Sequence, residues 1–478
     1  MRLLTVIWDW IDERSGITKL LKPAFLHPVP PETATLKVGW MYFEGIGTLT
    51  AFIVQVVTGI ALATLYVPSS ANAYDSLKFI STSATLGSVL RGMHWFGASA
   101  MVLFIGLHMM RTFLTGSFKF PREMNWLTGV LLLIFTLAMA FTGQLLRWDQ
   151  NGVWSLFVAA EQAGRTPVIG SAIAYFLLAG RTIGAATLSR FFAFHVFFFP
   201  AMIFAFLGFH LYLVLHNGIS EPPKSGRPVD PKTYRAWYKH LTEKHGKPYF
   251  PDAAWHEIAF AFLLVLTILL LAIFVGPPKL VGPPNPAEIN IYPRPDWYFL
   301  WYFALLALLR PAVENYVIIL GPMIVFLLFF LVPFIANTGE RSPFRRPWAP
   351  AISVAAVVII GAFWRYGVVA PWSPDFNTKP LTASQVGAAG GPVLLGGQLF
   401  YQKGCQFCHT VDGQGGIRGP DLTNVSEKYS AGQITAIIAD GRGNMPAFVD
   451  NLSPQEMTTI VAFLESQAKH PQQAVAGQ

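Results

Sequence analysis

Long apolar runs separated by short polar segments dominate the first 370 residues of the chain. A helix needs roughly 20 apolar residues to cross a bilayer, and seven of the runs are long enough. We therefore predict seven membrane-spanning helices, at about residues 38–66, 91–113, 126–146, 190–216, 255–275, 315–336 and 348–369. Residues 393–470 are polar with helical periodicity, which predicts a small soluble helical domain after the last span.

Basic residues are concentrated in every second polar segment. The segments 111–125, 217–254 and 337–347 are rich in Lys and Arg, whereas the segment 67–90 contains few. The positive-inside rule predicts that these three basic segments and the N-terminus are cytoplasmic. The C-terminal domain then lies on the outer, periplasmic face of the cell inner membrane. We expect residues 1–16 to form an amphipathic surface helix rather than a cleaved signal, because acidic residues interrupt the apolar run.

Composition supports a membrane protein. The hydrophobic fraction is 53 % and the charged fraction is 13 %, against about 25 % charged residues in soluble proteins. The net charge of +8 does not predict nucleic-acid binding, because the basic residues lie in short loops between apolar runs. With two cysteines, Cys405 and Cys408, the chain cannot supply all the ligands of a cysteine-bound iron–sulfur cluster.

The C-x-x-C-H pattern formed by Cys405, Cys408 and His409 is typical of covalent haem attachment. The two thiols would bond to the haem vinyl groups, and His409 would be the first axial iron ligand. Met445 is the candidate for the sixth ligand, although a core methionine is a common alternative. The Pro420 carbonyl is expected to support the other ring nitrogen of His409. A redox or zinc C-x-x-C site is the alternative for the cysteines, and the surrounding residues resemble a class I cytochrome c.

Two of the predicted spans carry a matched pair of histidines each, and His216 at the end of the fourth span is interpreted as an interfacial residue. His94 and His108 are 14 residues apart in the second span, and His195 and His210 are 15 apart in the fourth. A helix rises 1.5 Å per residue, so 14 residues cover about 21 Å in nearly four turns. Both histidines of a helix therefore lie on one side at different depths. Because both helices run inward, we predict two bis-histidine haem sites, the outer with His94 and His195 and the inner with His108 and His210. Packing or proton-relay histidines are the alternative.

Small and basic residues accompany these histidines. Glycines without a Cβ let a flat macrocycle approach the helix backbone, although close helix packing is another reason for them. Arginines near the outer haem are placed to pair with its propionates, and Arg111 is placed to pair with those of the inner haem. The alternative is that these arginines are boundary anchors. The candidate glycines are Gly45, Gly59, Gly129 and Gly143, spaced by 14 in each pair, and the outer arginines are Arg91 and Arg190.

These residues resemble a known family. Spans one to four resemble cytochrome b of the quinol-oxidising cytochrome bc complexes, especially the short form of the plastid bf complex, and residues 248–370 resemble that complex's subunit IV. The motifs that carry the resemblance, besides the histidine spacing, are residues 54–59 (VQVVTG), 147–150 (RWDQ), 167–171 (PVIGS), 295–298 (PDWY) and 343–347 (PFRRP).

The resemblance implies a proton-translocating quinol:cytochrome c oxidoreductase subunit. Quinol would be oxidised at the outer face, one electron passing to a separate Rieske iron–sulfur protein and on to a cytochrome c or oxidase. The other electron would cross the membrane through two non-covalent b haems to an inner quinone site. The fused haem c would serve the high-potential branch. A homodimer in the lipid membrane is also implied. The alternative is a non-bifurcating electron wire from a quinone pool to outside acceptors.

The resemblance also implies the catalytic residues, Asp296 and Tyr298. The family has Glu at the position of Asp296, where the carboxylate is thought to accept a quinol proton, and a carboxylate beside a hydroxyl can act as a base. The Asp side chain is one methylene shorter. Capping of the following helix is the alternative role of Asp296, and both roles can coexist.

The chain departs from the family at four positions. Phe43 stands where plastid-type complexes attach an extra haem to a cysteine, so we predict no covalent third membrane haem. Gln144 and Arg147 stand where the family usually has Tyr and Pro. Glu44 lies inside the first span near the inner face, where it either delivers protons to the inner quinone or extends its carboxylate toward the surface.

The fold class that follows is all-α, with a seven-helix cytochrome b bundle before a small cytochrome c domain. We expect a four-helix di-haem core at 1–220 and a three-helix subunit IV-like region at 221–372. A linker rich in Pro, Gly, Ala, Ser and Thr follows at 373–392, and the cytochrome c domain occupies 393–478.

Overall fold

The apolar runs of the sequence form long helices. The computed structural model of the chain describes residues 2–285, 293–442, 445 and 447–467. Within these ranges, seven helices are long and apolar enough to cross a membrane, which confirms an integral membrane protein. These spans are Lys37–Ala63, Gly87–Leu114, Glu123–Leu145, Ala185–Asn217, Tyr249–Phe274, Ala312–Ile335 and Trp348–Val369.

Shorter helices connect the spans and build the C-terminal part, so the all-α fold class is confirmed. In the membrane part they are Arg2–Ser15, Ile17–Leu26, Ala73–Thr82, Gln150–Gly164, Gly170–Leu178, Tyr234–His245 and Trp297–Leu308. In the C-terminal part they are Ala383–Val386, Gly391–Gln402, Cys405–Cys408, Ala431–Asp440 and Pro454–Gln467. Two antiparallel ladders of two residues per strand pair Pro28–Val29 with Lys247–Pro248 and Thr410–Val411 with Gln414–Gly415.

The first four spans pack as two pairs. The first span packs along the second, and the third along the fourth, while the fifth lies against the first two and the sixth against the third. A small apolar core joins the two pairs midway between the histidines of each helix. Its buried members are Ala51, Phe52, Met101, Ile105, Leu132 and Ile203. The two histidines of each helix therefore lie on opposite sides of this core, toward the two ends of the bundle.

Hydrogen bonds connect the segment after the fifth span to the residues that follow the third span. The Asp149 carboxylate is fully buried and caps the helix Gln150–Gly164 by accepting from the Gly152 amide at 2.8 Å. The Gln150 side chain makes two hydrogen bonds to the main chain of Asn285, at 2.7 and 3.1 Å. The Asn151 side chain makes two more hydrogen bonds, at 3.1 and 3.3 Å, to the main chain of Arg294, the residue before the PDWY motif, so the buried amides on both sides have partners.

A buried charged network joins the loops at the opposite end of the bundle. Arg341 forms an ion pair with Glu221, and both side chains are nearly inaccessible to solvent. The Tyr234 hydroxyl donates to the same carboxylate at 2.7 Å and accepts from Arg122 at 2.7 Å. Buried charges are tolerated when they are paired and hydrogen-bonded in this way.

The chain divides into two compact units, Met1–Trp364 and Arg365–Gln478. The second unit is built around buried aromatic and aliphatic side chains such as Phe400, Ile460 and Phe463. The segment 373–392, with the composition of a linker, packs on this unit, because the Asp375 amide donates to the Phe407 carbonyl at 2.7 Å. The polar backbone of this segment therefore has hydrogen-bond partners that its composition alone does not reveal.

Candidate haem sites and the Asp296 cluster

The structure brings the four membrane histidines together in two pairs. The ring centroids of His94 and His195 are 6.2 Å apart, and those of His108 and His210 are 6.4 Å apart. A metal–imidazole bond is about 2 Å and a ring centre lies about 1 Å behind its nitrogen, so imidazoles on opposite sides of one iron have centres about 6 Å apart. We call these pairs the His94 level and the His108 level.

A π-helical turn explains why the two histidine spacings differ by one residue. The turn covers Phe194–Phe198 and contains His195. Such a turn accommodates one extra residue within a helix and is frequent at functional sites. It lets the 15-residue step from His195 to His210 match the 14-residue step from His94 to His108 in the second span.

Protein groups hold the Nδ1 atoms of three of these histidines. The partners are uncharged oxygens, so each Nδ1 can keep its hydrogen and leave Nε2 for a metal, as is usual for ligating histidines. The contacts are His94 to the Thr58 hydroxyl at 2.9 Å, His210 to the Thr128 hydroxyl at 2.8 Å, and His195 to the Met139 carbonyl at 3.0 Å and the Thr142 hydroxyl at 3.3 Å.

The fourth histidine, His108, has a different neighbour. Its Nδ1 is buried, and within the described ranges no hydrogen bond reaches it. The carboxylate oxygen Oε1 of Glu44 faces it at 3.5 Å. The same oxygen accepts a hydrogen bond from Nε of Arg111, the residue one turn after His108. The His108 position therefore differs chemically from the other three histidine positions.

The candidate glycines lie directly against the histidine rings. A Cβ added to any of them would touch the imidazole that it faces, so the absent side chain leaves space there. The distances from that Cβ to the nearest ring carbon are 3.6 Å for Gly45 and His108, 3.2 Å for Gly59 and His94, 3.6 Å for Gly129 and His210, and 2.6 Å for Gly143 and His195. The described residues thus fit two haem groups, each between two imidazoles and two glycine-bearing helices.

A dipeptide pattern that was not predicted from the sequence links the glycines to the Nδ1 partners. The residue before each glycine carries the side chain that faces the same histidine. This residue is Thr58 before Gly59, Thr128 before Gly129, Thr142 before Gly143 and Glu44 before Gly45. Recurrence of Thr-Gly at the glycine spacing was the available signal.

Arg91 and Arg190, the arginines predicted near the outer haem, both have protein partners. Arg91 donates to the Ser81 hydroxyl at 3.1 Å and to the Pro278 carbonyl at 2.6 Å. Arg190 donates to the Phe176 carbonyl and lies over that phenylalanine ring. Pairing of these arginines with haem propionates stays a prediction.

The C-terminal motif forms a compact site within the second unit. Cys405 and Cys408 are the two ends of one helical turn, and no disulfide joins them. Nδ1 of His409 lies 2.9 Å from the Pro420 carbonyl, which confirms the support predicted for this ring. A Cβ on Gly419 would overlap the His409 ring. Met445 is half-buried against the apolar core of the unit, and its role as sixth ligand stays a prediction.

Asp296 and Tyr298 form a hydrogen-bonded pair at the start of the helix Trp297–Leu308. Asp296 occupies the N-cap position, yet its side chain accepts no hydrogen bond from the helix amides. The carboxylate accepts instead from the Tyr298 hydroxyl at 3.0 Å. Burial raises the pKa of Asp296 above its usual value, while the Tyr298 hydrogen bond and the Arg147 charge oppose that rise.

This cluster lies beside the His94 level. The indole of Trp297 donates to the Ser99 hydroxyl at 3.2 Å, and Ser99 follows His94 by five residues in the second span. Arg147 pairs with Asp149 at 2.5 Å, and the Gln144 amide donates to the Arg294 carbonyl at 3.2 Å. The two departures from the family motif therefore have structural partners close to Asp296.

Comparisons with known proteins agree with this geometry. A family model described as Cytochrome b/b6/petB matches residues 31–218. A second model, described as Cytochrome C oxidase, cbb3-type, subunit III, matches residues 393–464. Together they define a haem-binding electron-transport protein of the membrane with a cytochrome c domain after it.

The chain belongs to the cytochrome b/b6 family. It is 38 % identical over 224 residues to the menaquinol:cytochrome c reductase cytochrome b subunit of Bacillus subtilis, covering 46 % of this chain and 100 % of the relative. It is 40 % identical over 215 residues to cytochrome b6 of Heliobacterium mobile, covering 45 % and 99 %. A solved structure titled Hyperthermophilic respiratory Complex III is similar with a TM-score of 0.63 and 25 % identity, covering 75 % of this chain and 91 % of that one.

We predict that Gly143→Ala reduces haem b at the His94 level. The added methyl would lie 2.6 Å from the His195 ring, closer than van der Waals contact, so the ring must move. Gly208→Ala in the fourth span is the matched control, because its Cβ would meet nothing within 4 Å. Haem b per chain, measured as the pyridine haemochrome, should fall toward half in the first variant only. Normal haem content in Gly143→Ala would contradict the close fit.

Proposed function

We propose that this chain is the membrane subunit of a quinol:cytochrome c oxidoreductase that oxidises quinol beside Asp296. The observation that carries the proposal is the Asp296–Tyr298 pair next to the His94 level. A substrate hydroxyl at this cluster would have a proton acceptor and a paired histidine site close by. The Bacillus subtilis relative, by its printed name a menaquinol:cytochrome c reductase subunit, supports the same activity.

Asp296 acts in this proposal as the acceptor of a quinol proton. A buried carboxyl with a raised pKa is a better base toward a hydroxyl than an exposed aspartate, because the catalytic pKa lies closer to the working pH. Tyr298 orients the carboxylate through its hydroxyl. The Arg147 charge lowers the pKa of Asp296 and so opposes the effect of burial.

The four histidines hold two non-covalent b haems, and Cys405, Cys408 and His409 hold one covalent haem c. When bound, these groups carry single electrons across the membrane and into the C-terminal domain. The glycines leave space for the macrocycles, and the Nδ1 contacts fix the orientation of the imidazoles. The His94 level is the outer one, and the His108 level serves a quinone at the inner, cytoplasmic face.

The proposal includes partners of defined chemistry. A Rieske iron–sulfur protein is needed to take one of the two quinol electrons, since this chain has two cysteines and both belong to the haem c motif. A downstream cytochrome c or oxidase receives electrons from the fused haem c. The basic segments predict an inner membrane with the C-terminal domain outside. In this membrane, a homodimer of the chain couples quinol oxidation to proton release.

We predict that Asp296→Asn leaves all haem spectra unchanged and slows quinol oxidation by at least roughly 100-fold, the usual range for loss of a general base. Asparagine preserves the shape of the side chain but cannot accept the proton. Asp75→Asn, an exposed carboxylate in the helix Ala73–Thr82, is the matched control and should retain turnover. Unchanged quinol turnover in Asp296→Asn, without a co-purifying Rieske protein, would favour the electron-wire alternative.

We predict that Tyr298→Phe moves the acid limb of the pH–rate profile to higher pH. The Tyr298 hydroxyl stabilises the ionised form of Asp296, so its loss raises the pKa of the carboxyl. The rate, which needs the carboxylate, then begins to fall at a higher pH during acidification. Tyr302→Phe is the control, since that hydroxyl donates to the carbonyls of Val317 and Ile318. An acid limb that does not move would argue against Asp296 as the base.

A further inference from the structure

The four histidines do not have equivalent partners. Three of them face neutral oxygens through Nδ1, from threonine hydroxyls or a main-chain carbonyl. His108 faces a carboxylate, because Glu44 stands before Gly45 where the other three positions have threonine. The difference is confined to one ligand of the His108 level, so it affects one of the two membrane haem sites.

The carboxylate of Glu44 is held inside the bundle. Glu44 is 8 % exposed, although it lies in the first turn of a helix near the end of the bundle. Its Oε1 accepts from Arg111, whose guanidinium lies 4.7 Å from the ring centre of Tyr42. The side chain therefore points to a cation and a histidine rather than extending to the surface.

Glu44 also lies where the buried Nδ1–H group of His108 needs a hydrogen-bond acceptor. A histidine that binds iron through Nε2 keeps its hydrogen on Nδ1, and a buried N–H without an acceptor costs free energy. Within the described ranges, Nδ1 of His108 has no hydrogen bond, and Oε1 of Glu44 at 3.5 Å faces it. A displacement of about half an ångström brings these atoms within normal hydrogen-bond distance.

The type of acceptor changes the strength of the ligand. Hydrogen bonds to an ionised acceptor are shorter and roughly twice as strong as neutral ones. A stronger bond at Nδ1 increases the basicity of the ligating imidazole. Greater donation to the iron, and a negative charge near it, both favour the oxidised metal. Arg111 offsets part of that charge, so the pair can remain in the membrane interior.

We propose that Glu44, positioned by Arg111, is the hydrogen-bond acceptor of His108 and lowers the reduction potential of the inner haem below the value that a threonine would give. A lower potential makes the inner site a stronger reductant for the quinone that takes its electron. Glu44 is a positioning residue here, since it acts through His108. The inference rests on the proposed function, which assigns His108 and His210 as haem ligands.

The test compares Glu44→Gln and Glu44→Thr with the unmodified membrane protein. Glutamine keeps the length of the side chain without the charge, and threonine restores the dipeptide found at the other three positions. The readouts are a redox titration of the b haems, followed optically, and the low-spin ferric electron paramagnetic resonance spectrum. We expect an increase of about tenfold in the equilibrium constant for reduction of the inner haem, which is about 59 mV for one electron, with the outer haem unchanged.

Glu257→Gln is the matched control. Glu257 is a second acidic side chain near Glu44, but its carboxylate accepts from the Tyr249 hydroxyl at 2.6 Å instead of facing a histidine. The Glu257→Gln substitution should leave the electron paramagnetic resonance spectrum unchanged. It should shift the potential of the inner haem clearly less than the two Glu44 substitutions do. An unmoved inner potential in both Glu44 variants, or an equal shift in Glu257→Gln, would overturn the inference. Absence of the inner haem from the unmodified protein would instead contradict the ligand assignment itself.

Discussion

An imidazole placed inside a membrane needs a partner for each of its two ring nitrogens, and the membrane unit is arranged around this requirement. On one side of each ring, a side chain or carbonyl from a neighbouring helix faces Nδ1. On the other side, a second imidazole lies at a distance that accommodates one iron. The first and third spans supply the Nδ1 partners, and the second and fourth supply the rings. The pairing of the spans therefore follows from the same contacts that define the haem sites.

The same constraint explains the small residues and the irregular helix. Glycine next to each Nδ1 partner leaves room beside the ring, and the π-turn at Phe194–Phe198 brings His195 to the depth of His94. The segment that carries Asp296 is tied to the end of the third span by hydrogen bonds between the Gln144 and Asn151 side chains and the main chain of Arg294. The Asp296 cluster and the His94 level thus meet at one end of the bundle through ordinary hydrogen bonds.

Much of this architecture could be predicted from the chain because periodicity and spacing are one-dimensional signals. The seven spans followed from apolar length, and the levels of His94 and His108 from the helical rise. The Thr58 and Thr128 contacts were missed because threonine is ordinary in a membrane helix, and its partner lies on another span. The packing of residues 373–392 was missed because composition does not show the backbone partners that Phe407 and Gln406 provide. Phe43 packs against Phe260 with ring centroids 5.0 Å apart, a contact between separate spans that sequence spacing does not indicate.

The central claim is that four histidines hold two haems in the membrane unit while the C-terminal motif holds a third. Pyridine haemochrome quantification of the purified chain, combined with a haem stain after denaturing electrophoresis, tests it most directly. We expect two b haems and one c haem per chain, with only the c haem retained on the denatured polypeptide. One b haem per c haem, or a stain that requires neither Cys405 nor Cys408, would contradict it.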